Sequence, residues 1–321
     1  MHLNLPILDQ LANSQNILIA GMGGGFDIFC GLPLYFTLCD MGKRVHLANY
    51  SFVDLTLASL LGETETLLPD RVVAARGGIK HRIGFYPEGY LAEWFRKQEN
   101  QPTKVWMFNA TAVRPLVESY KALIDHLHID ALILIDGGVD SLMRGDESSP
   151  GTFIEDTITL AAVRELNVPV KLHACLGFGT EVEEHLCHHL ALENVAAITK
   201  AGGFLGACAL TAQMSCFQRY ESACRYVWDQ PNHQKSHIST RVIPAAHGEF
   251  ANHHLYNMDS NVTVYLSALM TLYWWFDAEV VIKRNLLLDN LKDTDTTEDA
   301  FRVIHAARRL MRLRPCKPIP Y

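Results

Sequence analysis

Positive charge is scarce in this sequence: 28 lysines and arginines stand against 35 acidic residues, a formal net charge of −7. A broad face for nucleic acid or for an anionic membrane needs the opposite balance, so neither partner is expected. Only the C-terminal run from Arg308 to Arg314, with Arg309 and Arg312 inside it, gathers basic residues into anything like a patch. A long apolar run is also missing. The longest, Val262 to Phe276, falls short of the roughly 20 residues that a helical span needs and is interrupted by Thr263, Ser267 and Thr271. No basic segment with an apolar run behind it opens the chain, so no secretory leader is expected. The eight cysteines (Cys30, Cys39, Cys175, Cys187, Cys208, Cys216, Cys224 and Cys316) contain no Cys-x-x-Cys pair. That spacing excludes zinc-ribbon and thioredoxin-type sites and predicts eight free thiols in a soluble, cytoplasmic protein.

What is present is ordinary globular material, 49% apolar and 20% charged over 321 residues, enough for one large domain or two. Asn16 to Ala20 reads as an apolar strand, and a glycine turn, Gly21 to Asp27, follows at once. A helical pattern over Ile28 to Met41 and a second strand over Lys43 to Ala48 complete a βαβ unit. Further strands are expected at Val105–Phe108, Ala131–Ile135, Val170–Cys175 and Arg241–Ile243. Between them lie a helix from Thr111 to His128 and another capped by Thr152. The alternation predicts an α/β fold with a doubly wound, mainly parallel Rossmann-like sheet. The C-terminal portion reads as helical, including an aromatic helix over Leu269 to Arg284. No linker divides the chain, so residues 1–321 read as one domain, with 50–104 as an insertion that could cover the site. Arg76, Lys80, His81 and Arg82 in that insertion are either phosphate contacts or a solvated basic loop.

The glycine turn partly matches the dinucleotide fingerprint, which delivers phosphate to a helix N-terminus. Gly21, Gly23 and Gly24 miss the required spacing because position 26 is phenylalanine, and the second strand ends at Asn49 where an acidic residue would hold a ribose. NAD is therefore a weak expectation, level with glycines that serve only tight helix–strand packing and less expected than a divalent cation. Asp27 reads as a helix cap or as a member of an acidic cluster at the same sheet edge.

The densest chemistry follows the apolar strand at Ala131–Ile135. Two glycines, Gly137 and Gly138, break it, and Asp136, Asp140, Asp146, Glu147, Glu155 and Asp156 fall within 21 residues around one arginine, Arg144. Parallel strands deliver their C-terminal loops to one edge, where ligands of open α/β sheets sit. That edge should collect Gly23, Gly24, Gly25, Asp27, Asn109, Asp136, Gly137, Gly138, Asp140, Glu181 and His247. His185 and His189, four apart on an expected helix from Val182, read as exposed rather than as a metal pair. A second glycine turn, Gly202 to Gly206, is expected to open a helix from Ala209.

The block Gly23-Gly24-Gly25-Phe26-Asp27 after a strand, the run from Asp136 to Glu147, the turn Gly177-Phe178-Gly179-Thr180-Glu181 and the segment Tyr273-Trp274-Trp275-Phe276-Asp277 occur in one chain. In that combination the sequence resembles the uncharacterised family catalogued as domain of unknown function 1152, over nearly its whole length. The resemblance implies an α/β fold and brings no activity with it. The acidic block is also distantly similar to the glycine–aspartate loop of D-glutamate cyclases. It resembles the Ser-Gly-Gly-x-Asp-Ser loop of ATP pyrophosphatases only superficially, since Asp136 stands where that loop has serine.

Carboxylates gathered at a strand end repel unless they bind cations, share protons or pair with Arg144. Mg²⁺ or Mn²⁺ suits such oxygen ligands and bridges to phosphates. The sequence thus leads to a metal-assisted hydrolase or lyase acting on a nucleotide-like, phosphorylated or acidic metabolite. Asp136 and Asp140 are the expected metal or base residues, His247 a catalytic group and Arg144 an anion clamp. The other class is a non-catalytic nucleotide or dinucleotide sensor built on the first βαβ unit. The expected partner is a small-molecule ligand; a homo-oligomer remains open.

Overall fold

The computed structural model describes residues 6–82, 84–182, 185–231, 234–254 and 263–319. Its eleven strands among these are β1 (Asn16–Gly21), β2 (Arg44–Ser51), β3 (Thr64–Leu68), β4 (Val72–Ala75), β5 (Val105–Asn109), β6 (Ala131–Gly137), β7 (Val170–Leu176), β8 (Phe204–Ala209), β9 (Ala251–His254), β10 (Thr263–Leu266) and β11 (Leu272–Asp277). Nine of them form one sheet in the order β3-β4-β5-β2-β1-β6-β7-β11-β8, while β9 and β10 make a separate hairpin. The five central strands, β5-β2-β1-β6-β7, are parallel. Antiparallel pairs finish both edges, β3 with β4 at one and β11 with β7 and β8 at the other.

The central strands are apolar throughout because both faces are covered. In β1, Ile17 and Ile19 face one core while Leu18 and Ala20 face the other. The helices after β1 (Asp27–Cys30 and Leu32–Asp40) bury Ile28, Phe29 and Phe36 in the first core. The helix after β6 (Ile154–Arg164) buries Ile158, Leu160 and Val163 in the second. Adjacent strands β1 and β6 therefore send their connections to opposite faces, and a crevice opens between their C-terminal ends.

Several local expectations are corrected. Arg241–Ile243 is not a strand but part of the helix Ser239–Ala246. Leu269–Arg284 is not one helix: Leu272–Asp277 is β11, and helix resumes at Ala278. Tyr273 and Trp275 pack into one core, with Phe276 and Trp274 against the other. A short aromatic run of that kind fits a strand buried on both faces as well as it fits a helix. The Gly202–Gly206 stretch leads into β8 rather than a helix, which begins only at Ser215. Thr111 and Thr152 cap no helix; Ala112 and Phe153 hold those positions without side-chain caps. His188 starts the helix that runs to Lys200, and His185 precedes it with a left-handed φ of 60°. His185 and His189 thus share no helix face; Glu183 and Glu184, like Val262 of the long apolar stretch, lie outside the described residues. Among the described residues no helix is long and apolar enough to cross a membrane.

The expectation of eight free thiols is also corrected. Cys187 and Cys316 form a disulfide, and the other six are free. A separation of 129 residues hides such a pair from any reading of local spacing. The cytoplasmic expectation loses the support it drew from reduced cysteines.

Candidate functional site

A cleft of roughly 300 Å³ occupies the crevice between β1 and β6. It is lined by Gly23, Gly24, Gly25, Asp27, Asp136, Gly137, Asp140, Thr152, Asp156 and Glu181 from the strand-end loops, and by Gln234, Lys235, Ser236, His237 and Ile238 from the segment before the helix at Ser239. Phe52 and Phe85, from the segment 50–104, flank it. That segment does reach the cleft, but Arg76, Lys80, His81 and Arg82 do not line it. Lys80 bonds the Ser59 carbonyl instead and Arg76 lies near Glu65.

Asp27 joins the acidic cluster and caps no helix. Its Oδ2 accepts the Gly23 N–H at 2.6 Å and its Oδ1 the Gly137 N–H at 3.3 Å, tying the two strand-end loops together. A side chain at Gly23 or Gly138 would crowd neighbouring carboxylates. A Cβ at Gly23 would stand 2.8 Å from Asp27 Oδ2 and 2.9 Å from Asp156 Oδ2. At Gly138, which has a φ of +138°, it would stand 2.4 Å from the Glu181 carboxyl carbon. Glu181 accepts the Val139 N–H at 2.6 Å, holding the loop after β7 against the loop after β6. Asp140 accepts the backbone and hydroxyl of Thr152 at 2.9 and 3.0 Å.

Asp136, at the end of β6, is 2% exposed and accepts the Ser141 backbone N–H at 3.2 Å and the Ser141 hydroxyl. Burial, and then the neighbouring Asp27 charge, push its carboxyl up to about 7. Asp156, in the first turn of Ile154–Arg164, is raised by burial and by Asp140, Asp136, Asp27 and Glu155 in turn. Its Oδ1 is buried without a hydrogen-bond partner among the described residues. Carboxylate oxygens of Asp27, Asp136 and Asp156 lie within 4.8 Å of one another, close enough to share one cation.

Behind Asp136 sit two side chains of β7. His173 Nε2 is 2.8 Å from Ser141 Oγ, and Cys175 Sγ is 3.7 Å from Asp136 Oδ2. Burial lowers the His173 pKa to about 3, so the ring is neutral. Sequence reasoning missed Asp156, His173 and Cys175 as site residues. Asp156 was legible as a carboxylate at a helix start aimed along the acidic loop. His173 and Cys175 were legible as two ligand-type side chains at alternate positions of an apolar strand.

Three expected residues lie elsewhere. His247 ends the helix Ser239–Ala246, 2.9 Å from Glu221, in a neighbouring cleft; it follows no strand and so is not delivered to the sheet edge. Asn109 ends β5 beside Ser51, outside the cleft because β2 separates it from β1. Arg144 does not enter the cleft either. It pairs with Asp146, Nε to Oδ1 at 2.8 Å, within a network completed by the C-terminal segment. Arg314 reaches Asp146 at 2.8 Å and the fully buried Glu147 at 2.7 Å, and Arg308 donates to the Glu147 carbonyl at 2.8 Å. The acidic block is therefore two structures. Asp136, Asp140 and Asp156 serve the cleft, while Asp146 and Glu147 anchor the basic C-terminal run.

No curated protein and no solved structure matches the chain. A family model described as "Protein of unknown function (DUF1152)" matches residues 90–311. The match takes in Asp136, Asp140, Asp156, His173, Cys175 and Glu181, but not the glycine turn or Asp27. With most of its length inside that match, the chain belongs to the DUF1152 family.

Proposed function

We propose that the cleft is an active site that binds a divalent cation, Mg²⁺ or Mn²⁺, and assists hydrolysis or elimination on a phosphorylated, nucleotide-like or acidic small molecule. The carrying observation is the set Asp27, Asp136 and Asp156, with carboxylate oxygens within 4.8 Å of one another, of which Asp136 and Asp156 are raised in pKa by burial and by neighbouring carboxylates. A hard cation with oxygen ligands is the natural counter-charge for such a set. When bound, the cation would polarise a phosphoryl or carboxyl oxygen and acidify water. Asp140, which also lines the cleft, is the candidate general base, and Lys235 and His237 line it as contacts for the anionic end of a substrate.

A dinucleotide site fits less well. The Gly23 N–H, which a phosphate would need, is already taken by a carboxylate, and the helix that begins at Asp27 ends after four residues at Cys30.

The test is titration of chelator-treated protein with Mn²⁺, followed by calorimetry and by turnover of a panel of phosphorylated metabolites with and without metal. Binding lost in both Asp136→Asn and Asp156→Asn, with turnover that needs metal, supports the reading. Metal binding that neither substitution weakens would sink it.

A further inference from the structure

Asp136 and Cys175 are register partners on β6 and β7, and His173 lies two residues before Cys175 on the same face. Their donor atoms converge in a fully buried space: Cys175 Sγ is 3.6 Å from His173 Nε2 and 3.7 Å from Asp136 Oδ2. All three donors lie within 4.8 Å of one another. Tetrahedral zinc, with bonds of about 2.3 Å to sulfur and about 2.1 Å to nitrogen or oxygen, sets ligand edges to sulfur of about 3.6 Å. The two sulfur edges, 3.6 and 3.7 Å, meet that requirement without movement of the backbone. Ser141 Oγ borders the three donors as a hydrogen-bonding neighbour, donating to Asp136 and lying 3.6 Å from Cys175 Sγ and 2.8 Å from His173 Nε2. The His173 ring has no other polar contact among the described residues, since its Nδ1 is buried without a partner.

We infer that Asp136, His173 and Cys175 form a second metal site, suited to zinc or a similar soft-tolerant divalent ion, directly behind the cleft. A mixed oxygen, nitrogen and sulfur set selects against Mg²⁺ and for the zinc class, in contrast to the all-oxygen set of the cleft. Asp136 belongs to both sets, so its carboxylate would be shared between a hard outer ion and a softer inner one. The bridge rests on the proposed cleft function; the inner site does not. Binding requires the Cys175 thiol to release its proton to solvent as the metal–sulfur bond forms, with no change of oxidation state.

The test is Co²⁺ titration of chelator-treated full-length protein, read by absorbance. A cobalt–thiolate charge-transfer band should grow to one equivalent and vanish on adding Zn²⁺. It should be lost in Cys175→Ser and kept in Asp156→Asn, which removes only the outer set. His173→Gln should keep the thiolate yet weaken Co²⁺ by at least about tenfold, the loss seen even for outer-shell partners; it serves where the serine variant does not fold. No band in the wild type, a band that survives Cys175→Ser, or unchanged affinity in His173→Gln would each overturn the inner site. A band without Mn²⁺ binding in the cleft would leave the inner site standing and remove the function proposed above.

Discussion

Burial raises the Asp136 carboxyl to about 7, yet it lies where a cation would want its charge. The sign of the resulting pH dependence follows directly. Its folded pKa of about 7 exceeds the ordinary 3.8, so between those values the folded protein binds more protons than the unfolded one. Stability of the metal-free protein should therefore fall as pH rises through that window, with the full cost present above about 7. Denaturant melts of wild type and Asp136→Asn at pH 4.5 and 7.5 check this: the wild-type loss should exceed that of the variant. Saturating divalent metal should flatten the wild-type profile. Asp156 yields a complementary expectation. Asp156→Asn removes a carboxylate surrounded by others, so the metal-free variant should melt at least as high as wild type at pH 7.5. It should nevertheless gain nothing from Mn²⁺. A stability loss above about 1 kcal/mol, the scale of one net hydrogen bond, would mean that Asp156 serves packing instead.

At the scale of the elements, the turn after β1 and the acidic block carry the two sharpest tests. Gly23→Ala places a methyl group against two carboxylates, so Mn²⁺ affinity should drop at least about tenfold, or about 1.4 kcal/mol, with the fold intact by circular dichroism. Arg314→Ala leaves Glu147, fully buried, without its strongest countercharge and should cost about 3 kcal/mol. Glu147→Gln should relieve part of that loss in the double variant, measured by denaturant unfolding. How legible these elements are in the sequence depends on how local their causes are. The five parallel strands announce themselves because burial on both faces demands continuous apolar runs such as Leu132–Ile135. The crevice follows from them, since strand polarity alone decides where Gly23, Asp27 and Asp136 go. β11 does not announce itself, because Tyr273–Phe276 is too short a run for its period to separate strand from helix. Arg144 is illegible for another reason. Its partner Asp146 is two residues away, but the other arginines at the acidic block, Arg308 and Arg314, come from more than 160 residues away, and only the tertiary fold brings them there.

At the scale of the whole molecule, the C-terminal segment is fastened twice, by Arg314 in the carboxylate network and by the Cys187–Cys316 bond. Chain-entropy reasoning assigns a closure of this span up to about 5 kcal/mol, and measured values for single bridges are more often about 2–4. Reduced protein should unfold at correspondingly lower denaturant, and Cys316→Ser should behave as reduced protein does with or without reductant. Equal midpoints for oxidised and reduced protein would show that the bond adds nothing to the network already there.

The same bond divides the cleft topologically. Every carboxylate that lines it, from Asp27 to Glu181, lies ahead of Cys187 on open chain, whereas Lys235 and His237 lie between the two cysteines, inside a covalent ring. The acidic and the basic residues of the lining are thus parts of differently constrained polymers. A single proteolytic cut anywhere within the ring leaves the polypeptide in one piece until a thiol opens it. A cut ahead of the ring releases at once on denaturation every acidic residue that precedes it, and all of them only when it falls between Glu181 and Cys187. Partial digests run with and without reductant would separate the acidic from the basic lining by that property alone, without any ligand or activity.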